Sequence, residues 1–210
     1  MRLIQLSDCH LPDAPVGSIY GSFVLVWNCA LAFQPDHILI TGDLSNRGES
    51  ASYELLAHIF SSTTVPVSIL YGNHDRPCEL MDRRCHQHFY LGNWQVICLD
   101  SVKLNSIFGE GAILQSELEW LTQVLRVHDR PVIALHHHPV SNFTDELAWL
   151  NQIQLTNGQE LIGLLLHFPQ VRLVICGHIH RVFCHHINHL TFLSAPATCY
   201  QVYKREEPES

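Results

Sequence analysis

The chain has 210 residues, 47% of them apolar and 15% charged, with a formal charge of −8 and a pI near 6.0. That length supports one sizeable core and gives little room for a second, so residues 1–200 read as a single domain with a charged tail over 201–210. The acidic balance lacks the basic footprint that a phosphate polymer demands, which excludes extended nucleic acid as a partner but not a small phosphate ester, because bound cations add charge that a residue count omits.

Eight cysteines are scattered without a C-x-x-C pair, and no secretory leader precedes the first strand pattern. Reduced thiols and a cytoplasmic location are expected. The longest greasy stretch, 19–33, is broken by Gly21, Ser22 and Asn28 and falls short of the roughly 20 apolar residues a membrane helix needs. Sixteen histidines against twelve Lys and Arg are the compositional oddity, and histidine is the commonest metal ligand.

In chain order, 2–7 reads as a strand that stops at Asp8-Cys9-His10. Residues 23–33 are apolar nearly all round, which predicts a mostly buried helix ended by Pro35. A strand over 37–41 delivers Gly42-Asp43, and Ser50 is placed to cap a helix to about residue 61. The apolar run 67–71 is a third strand, delivering Gly72-Asn73-His74-Asp75. Residues 76–93 are irregular, with a short helix expected over 79–86, and 94–99 is strand-like.

Ser116 and Glu119 form a capping-box pattern ahead of a helix carrying Leu118, Leu121 and Leu125. The strand 131–135 then ends in His136-His137-His138-Pro139. Asn157 and Glu160 repeat the capping device before a helix over 161–168, and the strand 171–176 ends in Gly177-His178-Ile179-His180. Residues 182–186 and 190–193 read as a hairpin around Asn188, and the tail from Lys204 as frayed. Strands alternating with helices argue for a layered α/β fold.

Five separate strand ends thus carry metal-type ligands: Asp8 with His10, Asp43, Asn73 with His74, His136 with His137, and His178 with His180. Singly, each has an ordinary explanation as a cap or a turn. Two histidines spaced by one residue at a strand end are stronger, because the period of two puts both rings on one face. Five such termini in succession are hard to explain by packing.

In that order D-x-H, G-D, G-N-H-D, H and G-H-x-H, the chain resembles the calcineurin-like metallophosphoesterase superfamily, and within it most resembles bacterial class III 3′,5′-cyclic AMP phosphodiesterases. The resemblance spans residues 2–197 and implies a four-layer α-β-β-α sandwich with two divalent ions, Mn, Fe or Zn. It implies one ion on Asp8, His10, Asp43 and His180, and the other on Asp43, Asn73, His136 and His178, with Asp43 between them. Oxygen and imidazole ligands do not select among those metals.

The reaction so implied is hydrolysis of 3′,5′-cyclic AMP to 5′-AMP by a metal-bound hydroxide. His74 is expected to serve the leaving oxygen, Asn73 and His137 to contact the phosphate, and Asp75 to orient the His74 ring. Rival readings are a broad phosphodiesterase on glycerophosphodiesters or 2′,3′-cyclic nucleotides, and a non-catalytic scaffold on the same fold. His185, His186 and His189 read as a solvated hairpin edge, and Cys9 and Cys176 as small buried hydrophobes.

Overall fold

The computed structural model describes residues 1–82, 88–140 and 142–203. In chain order the elements are β1 (Leu3–Leu6), α1 (Gly17–Ala32), β2 (His37–Thr41), α2 (Ser50–Phe60), β3 (Val67–Leu70), α3 (Glu79–Asp82), β4 (His88–Leu91), β5 (Trp94–Cys98) and α4 (Gln115–Leu125). β6 (Pro131–Ala134), a 3-10 helix (Asp145–Gln152), α5 (Gly158–Leu166), β7 (Leu173–Cys176), β8 (Phe183–Ile187) and β9 (Leu190–Ser194) follow. β1, β2 and β3 form a parallel three-stranded sheet. The second sheet runs β4-β5-β6-β7-β9-β8, parallel from β5 to β9 and antiparallel at both edges.

The apolar runs on the parallel strands are continuous because both faces of each sheet are covered. Along β2, Ile38 and Ile40 point to a core shared with Phe23, Trp27, Tyr53 and Leu56 of α1 and α2, whereas Leu39 points the other way. Leu39 and Leu70 meet Val96, Cys98, Val132, Ala134 and Ile175 of the second sheet. The alternate residues Ile97, Ile133 and Val174 face Leu118, Leu121 and Leu125 of α4 and Leu161 and Leu165 of α5. Three apolar layers between four structural layers give the expected α-β-β-α sandwich. The His37 ring stacks on Phe89 between the sheets, with centroids 3.9 Å apart.

Several local expectations differ from the structure. α1 begins at Gly17 and buries only Phe23, Trp27 and Ala30, one stripe at helical spacing, while Leu25 and Phe33 are exposed. The helix is therefore half-covered, because it lies on the outside of the three-stranded sheet. Ser50 is the first residue of α2 and not its cap; the preceding Glu49 gives its carboxylate to the Arg47 N–H instead.

α4 starts at Gln115, which puts Ser116 inside the helix and leaves the box unmade. Asn157 does occupy the N-cap position of α5, but its amide is used on both backbone groups of Ile113. Neither β4 nor the 3-10 helix is expected from periodicity, and the predicted end of the short helix, 83–86, lies outside the described residues, as does 204–210. Gln201 to Tyr203 are held against the body, with the Val202 N–H donating to the His180 carbonyl. No helix among the described residues is long and apolar enough to cross a membrane.

Glu117 provides a pH test of this packing. Burial, reinforced by nearby Asp100, raises its carboxyl to about 7 from an ordinary 4.5, although its Oε1 accepts the Asp100 N–H. The folded state then holds this proton more tightly than the unfolded chain, so stability should fall as pH rises from about 4.5 to about 7. Glu117→Gln should flatten that part of the stability profile in urea unfolding at pH 5 and pH 8; an unchanged slope would show that Glu117 does not cause it.

Candidate metal centre

The parallel strands of both sheets end at one place. β1 leads to Asp8 and His10, β2 to Asp43, β3 to Asn73, β6 to His136 and β7 to His178 and His180. Backbone bonds weld these exits together: the Asp8 N–H donates to the Gly42 carbonyl, His10 N–H to Asp43 and Gly177 N–H to His136. Gln5 on β1 spans the sheets, its Nε2 donating to Thr41 Oγ1 and to the Cys176 carbonyl.

The turns that follow the strands are strained in a telling pattern. Of nine described non-glycine residues with positive φ, five are Asp8, His10, Asp43, His178 and His180. An L-residue pays roughly 1–2 kcal/mol for this region, so the fold holds these side chains inward against local preference. Glycines clear the space: at Gly42 (φ +94°) a Cβ would strike the His136 ring, and at Gly72 it would overlap Asp43 Oδ1.

Asp8, His10, Asp43 and His180 are all buried, and their ligand atoms lie within 4.8 Å of one another. His10 Nε2 stands 3.1 Å from His180 Nε2 and 3.3 Å from Asp43 Oδ2. On the other side of the same carboxylate, Asp43 Oδ1 is 3.5 Å from His136 Nε2, which faces His178 Nδ1 at 3.1 Å and Asn73 Oδ1 at 3.3 Å. The structure thus brings all seven expected ligands into two groups joined at Asp43.

Tautomers decide whether a cation fits. The outer nitrogens of three rings contact carbonyls: His136 Nδ1 at Thr41 (2.7 Å), His178 Nε2 at Ile153 (2.9 Å) and His180 Nδ1 at Tyr200 (2.9 Å). A carbonyl only accepts, so each outer nitrogen carries the proton, and each neutral ring turns a lone pair inward. In their neutral forms His136 and His178 would oppose lone pairs at 3.1 Å, which only a proton or a metal cation between them relieves. The donor set therefore fits two cations.

The same demand is written in the proton affinities. Burial opposes a charge on His136, but Asp43 and Asp8 together bring it to about 9. Burial also works against ionised Asp43, yet His136, His10 and His74 hold it well below the usual carboxylate range. Asp8 is raised by burial, and His10 is lowered by burial to about 4. Burial raises the nearby Cys199 thiol to about 12, and its sulfur stands with His10 and His180 in a further group that could hold an ion.

The remaining expected residues sit differently. His74 is exposed; its N–H donates to Asp43 Oδ1, its Nδ1 lies 2.9 Å from the Asn46 carbonyl, and its ring packs edge-on to His10. Asp75 does not orient that ring. Its carboxylate takes the N–H groups of Leu44, Ser45 and Gly72 and the Tyr53 hydroxyl, clamping the Asp43 turn, and burial beside Asp43 raises it to about 6.

His137, expected at the phosphate, is fully buried with Nδ1 at Ser101 Oγ (2.9 Å) and Nε2 at the Gly109 carbonyl (3.0 Å). Both nitrogens are engaged, so in this arrangement the ring holds the 101–110 loop, and it stands with His136 and His178 in a group that could hold an ion. Cys9 and Cys176 are buried as expected. His185 and His186 contact Asn142 and Thr191 and join no ligand cluster among the described residues. Sequence reasoning missed the carbonyls of Thr41, Ile153 and Tyr200, which no side-chain pattern announces.

Residues 1–182 match the calcineurin-like phosphoesterase family. A 3′,5′-cyclic-nucleotide phosphodiesterase of Nostoc sp. is 34% identical, over 96% of this chain and 79% of its own length. The 3′,5′-cyclic adenosine monophosphate phosphodiesterase CpdA of Escherichia coli is 33% identical, over 96% and 77%. A dimetal phosphatase from Danio rerio shares the fold, with a TM-score of 0.76 over 94% of this chain and 87% of that one at 14% identity. The chain belongs to the calcineurin-like phosphoesterase family, whose members are binuclear-metal hydrolases.

Gly72→Ala tests the spacing of this centre. The added methyl overlaps Asp43 Oδ1 and crowds His136 Nε2, so metal content per chain, measured by plasma emission, should fall well below that of the wild type while circular dichroism is retained. Full metal content would mean that Asp43 is not where the cations bind.

Proposed function

We propose that this chain hydrolyses 3′,5′-cyclic AMP to 5′-AMP at a two-ion centre. Family membership makes it a metallophosphoesterase, and relatives at about one-third identity over most of the chain are named cyclic-nucleotide phosphodiesterases. The observation that carries the reading is the Asp43 carboxylate, with one oxygen toward His10 and the other toward His136.

Asp8, His10, Asp43 and His180 would hold one ion, and Asp43, Asn73, His136 and His178 the other. Bound there, the ions would acidify water to supply the attacking hydroxide and neutralise charge on the phosphoryl oxygens. The chain's own contributions follow from its geometry. The carbonyls of Thr41, Ile153 and Tyr200 fix the three rings so that in their neutral forms lone pairs face inward. Asp75 keeps the Asp43 turn in place through three backbone N–H groups.

His74 stands outside both ligand groups, packed on His10 and open to solvent, where a substrate's leaving oxygen can reach it. Its Nδ1 at the Asn46 carbonyl must carry a proton, and Nε2 is then available to give a proton to that oxygen from its charged form. A broad phosphodiesterase would use the same residues, because the metal centre does not specify the alcohol that leaves. The scaffold reading predicts a degraded ligand set, and the presence of all seven residues expected as ligands supports the enzyme reading instead.

Two variants separate holding metal from turnover. Asp43→Ala should lose metal and activity together, whereas His74→Ala should keep both ions and lose about 10²–10⁴-fold in kcat, the usual share of general acid catalysis. Loss of metal in His74→Ala would place His74 in the ligand set. A Mn-loaded assay across cyclic AMP, a 2′,3′-cyclic nucleotide, a glycerophosphodiester and an aryl monoester should favour cyclic AMP; preference for the monoester would sink the diesterase reading.

A further inference from the structure

One aromatic ring stands at the mouth of the metal centre with no packing role that explains its exposure. Tyr200 follows β9 after a bend at Thr198 and Cys199, and its backbone carbonyl receives the His180 Nδ1 proton. Its ring lies over two of the ligand imidazoles, 4.6 Å from the centroid of His180 and, nearly parallel, 6.0 Å from that of His10. Yet Tyr200 is 56% exposed. One part of the ring covers the ligands and the rest is left to solvent.

Its corner of the site is the relevant one. Besides its fellow candidate ligand His180 at 4.9 Å, His10 is flanked by two rings, His74 at 4.6 Å and Tyr200 at 6.0 Å. If His74 serves the leaving oxygen, then the alcohol attached to that oxygen emerges beside Tyr200. In a 3′,5′-cyclic nucleotide both ester oxygens belong to one ribose, which keeps the base close to the phosphorus. A flat heteroaromatic base leaving that corner meets the open part of the tyrosine ring.

We infer that Tyr200 is a specificity-determining residue, the aromatic platform on which the base of the nucleotide stacks, so that the site selects phosphodiesters with a planar aromatic group on the leaving side. This deepens the cyclic-nucleotide reading and rests on it for the direction of the leaving group. Base-on-aromatic stacking is tolerant of base identity, so the platform favours nucleotides over glycerophosphodiesters without choosing adenine.

The test isolates the base from the phosphate. The metal-loaded protein is titrated calorimetrically with 5′-AMP and with ribose 5-phosphate, which differ by the base alone. The wild type should bind 5′-AMP about tenfold or more tightly than ribose 5-phosphate, in keeping with the strength of base stacking. Tyr200→Ala and Tyr200→Leu should each bring that ratio close to one, with ribose 5-phosphate affinity and metal content retained, and Tyr200→Phe should preserve it.

The leucine variant guards against collapse of the segment, since it keeps bulk and removes the π face. A ratio near one in the wild type, or an unchanged ratio in both the alanine and leucine variants, overturns the inference. So does an equal loss of both ligands, which would mean that Tyr200 acts only through His180. Failure of the wild type to hydrolyse cyclic AMP, with a tyrosine-dependent ratio intact, would overturn the substrate reading and leave the platform standing.

Discussion

Everything in this molecule depends on a shortage of positive charge at one buried spot. Two carboxylates and four imidazoles converge where two sheets end, and three of the rings are fixed by backbone carbonyls so that in their neutral form each turns a lone pair inward. Buried carboxylates and opposed lone pairs are costly without a compensating charge. His136 answers part of that demand by holding a proton up to about 9. Divalent ions would answer it fully, so binding metal should stabilise this end of the fold.

The sandwich exists to make that convergence rigid. The inter-sheet layer of Leu39, Leu70, Val96, Val132, Ala134 and Ile175 presses the two sheets together, and Gln5 bonds across them just below the site. Left-handed backbone at five of the seven proposed ligands is strain that this packing overrides. Asp75 shows how the support is layered: its carboxylate never faces the centre, but it ties down the turn that presents Asp43. A polar residue beside a ligand is here a fastener for backbone.

Much of this was legible in the sequence, for a physical reason. Strands buried on both faces read as plain apolar runs, and 37–41 was recognisable to the residue because Asp36 and Gly42 bound it. The seven proposed ligands could be picked out because polar, metal-competent residues repeat at five strand ends, a pattern packing does not produce. The exposed half of α1 was not, since its outer face is as apolar as its inner one; Leu25 and Phe33 look like core in the sequence and are not. The capping patterns misled because Ser50 and Ser116 lie inside their helices and the Asn157 amide is spent on the backbone of Ile113. His137 looked like a phosphate contact by its neighbours, and its actual partners, Ser101 and the Gly109 carbonyl, come from a loop with no periodicity to read.

The central claim is that one carboxylate joins two cations, and electron paramagnetic resonance of the manganese-loaded protein tests it most directly. Two ions sharing Asp43, at the roughly 3.5–4 Å usual for paired metals, should give a magnetically coupled spectrum at two manganese per chain. Replacing Asp43 with Asn should abolish that coupling. A wild-type spectrum of isolated, uncoupled manganese at full loading would contradict the account, because it would place the two ligand groups around separate ions with nothing shared between them.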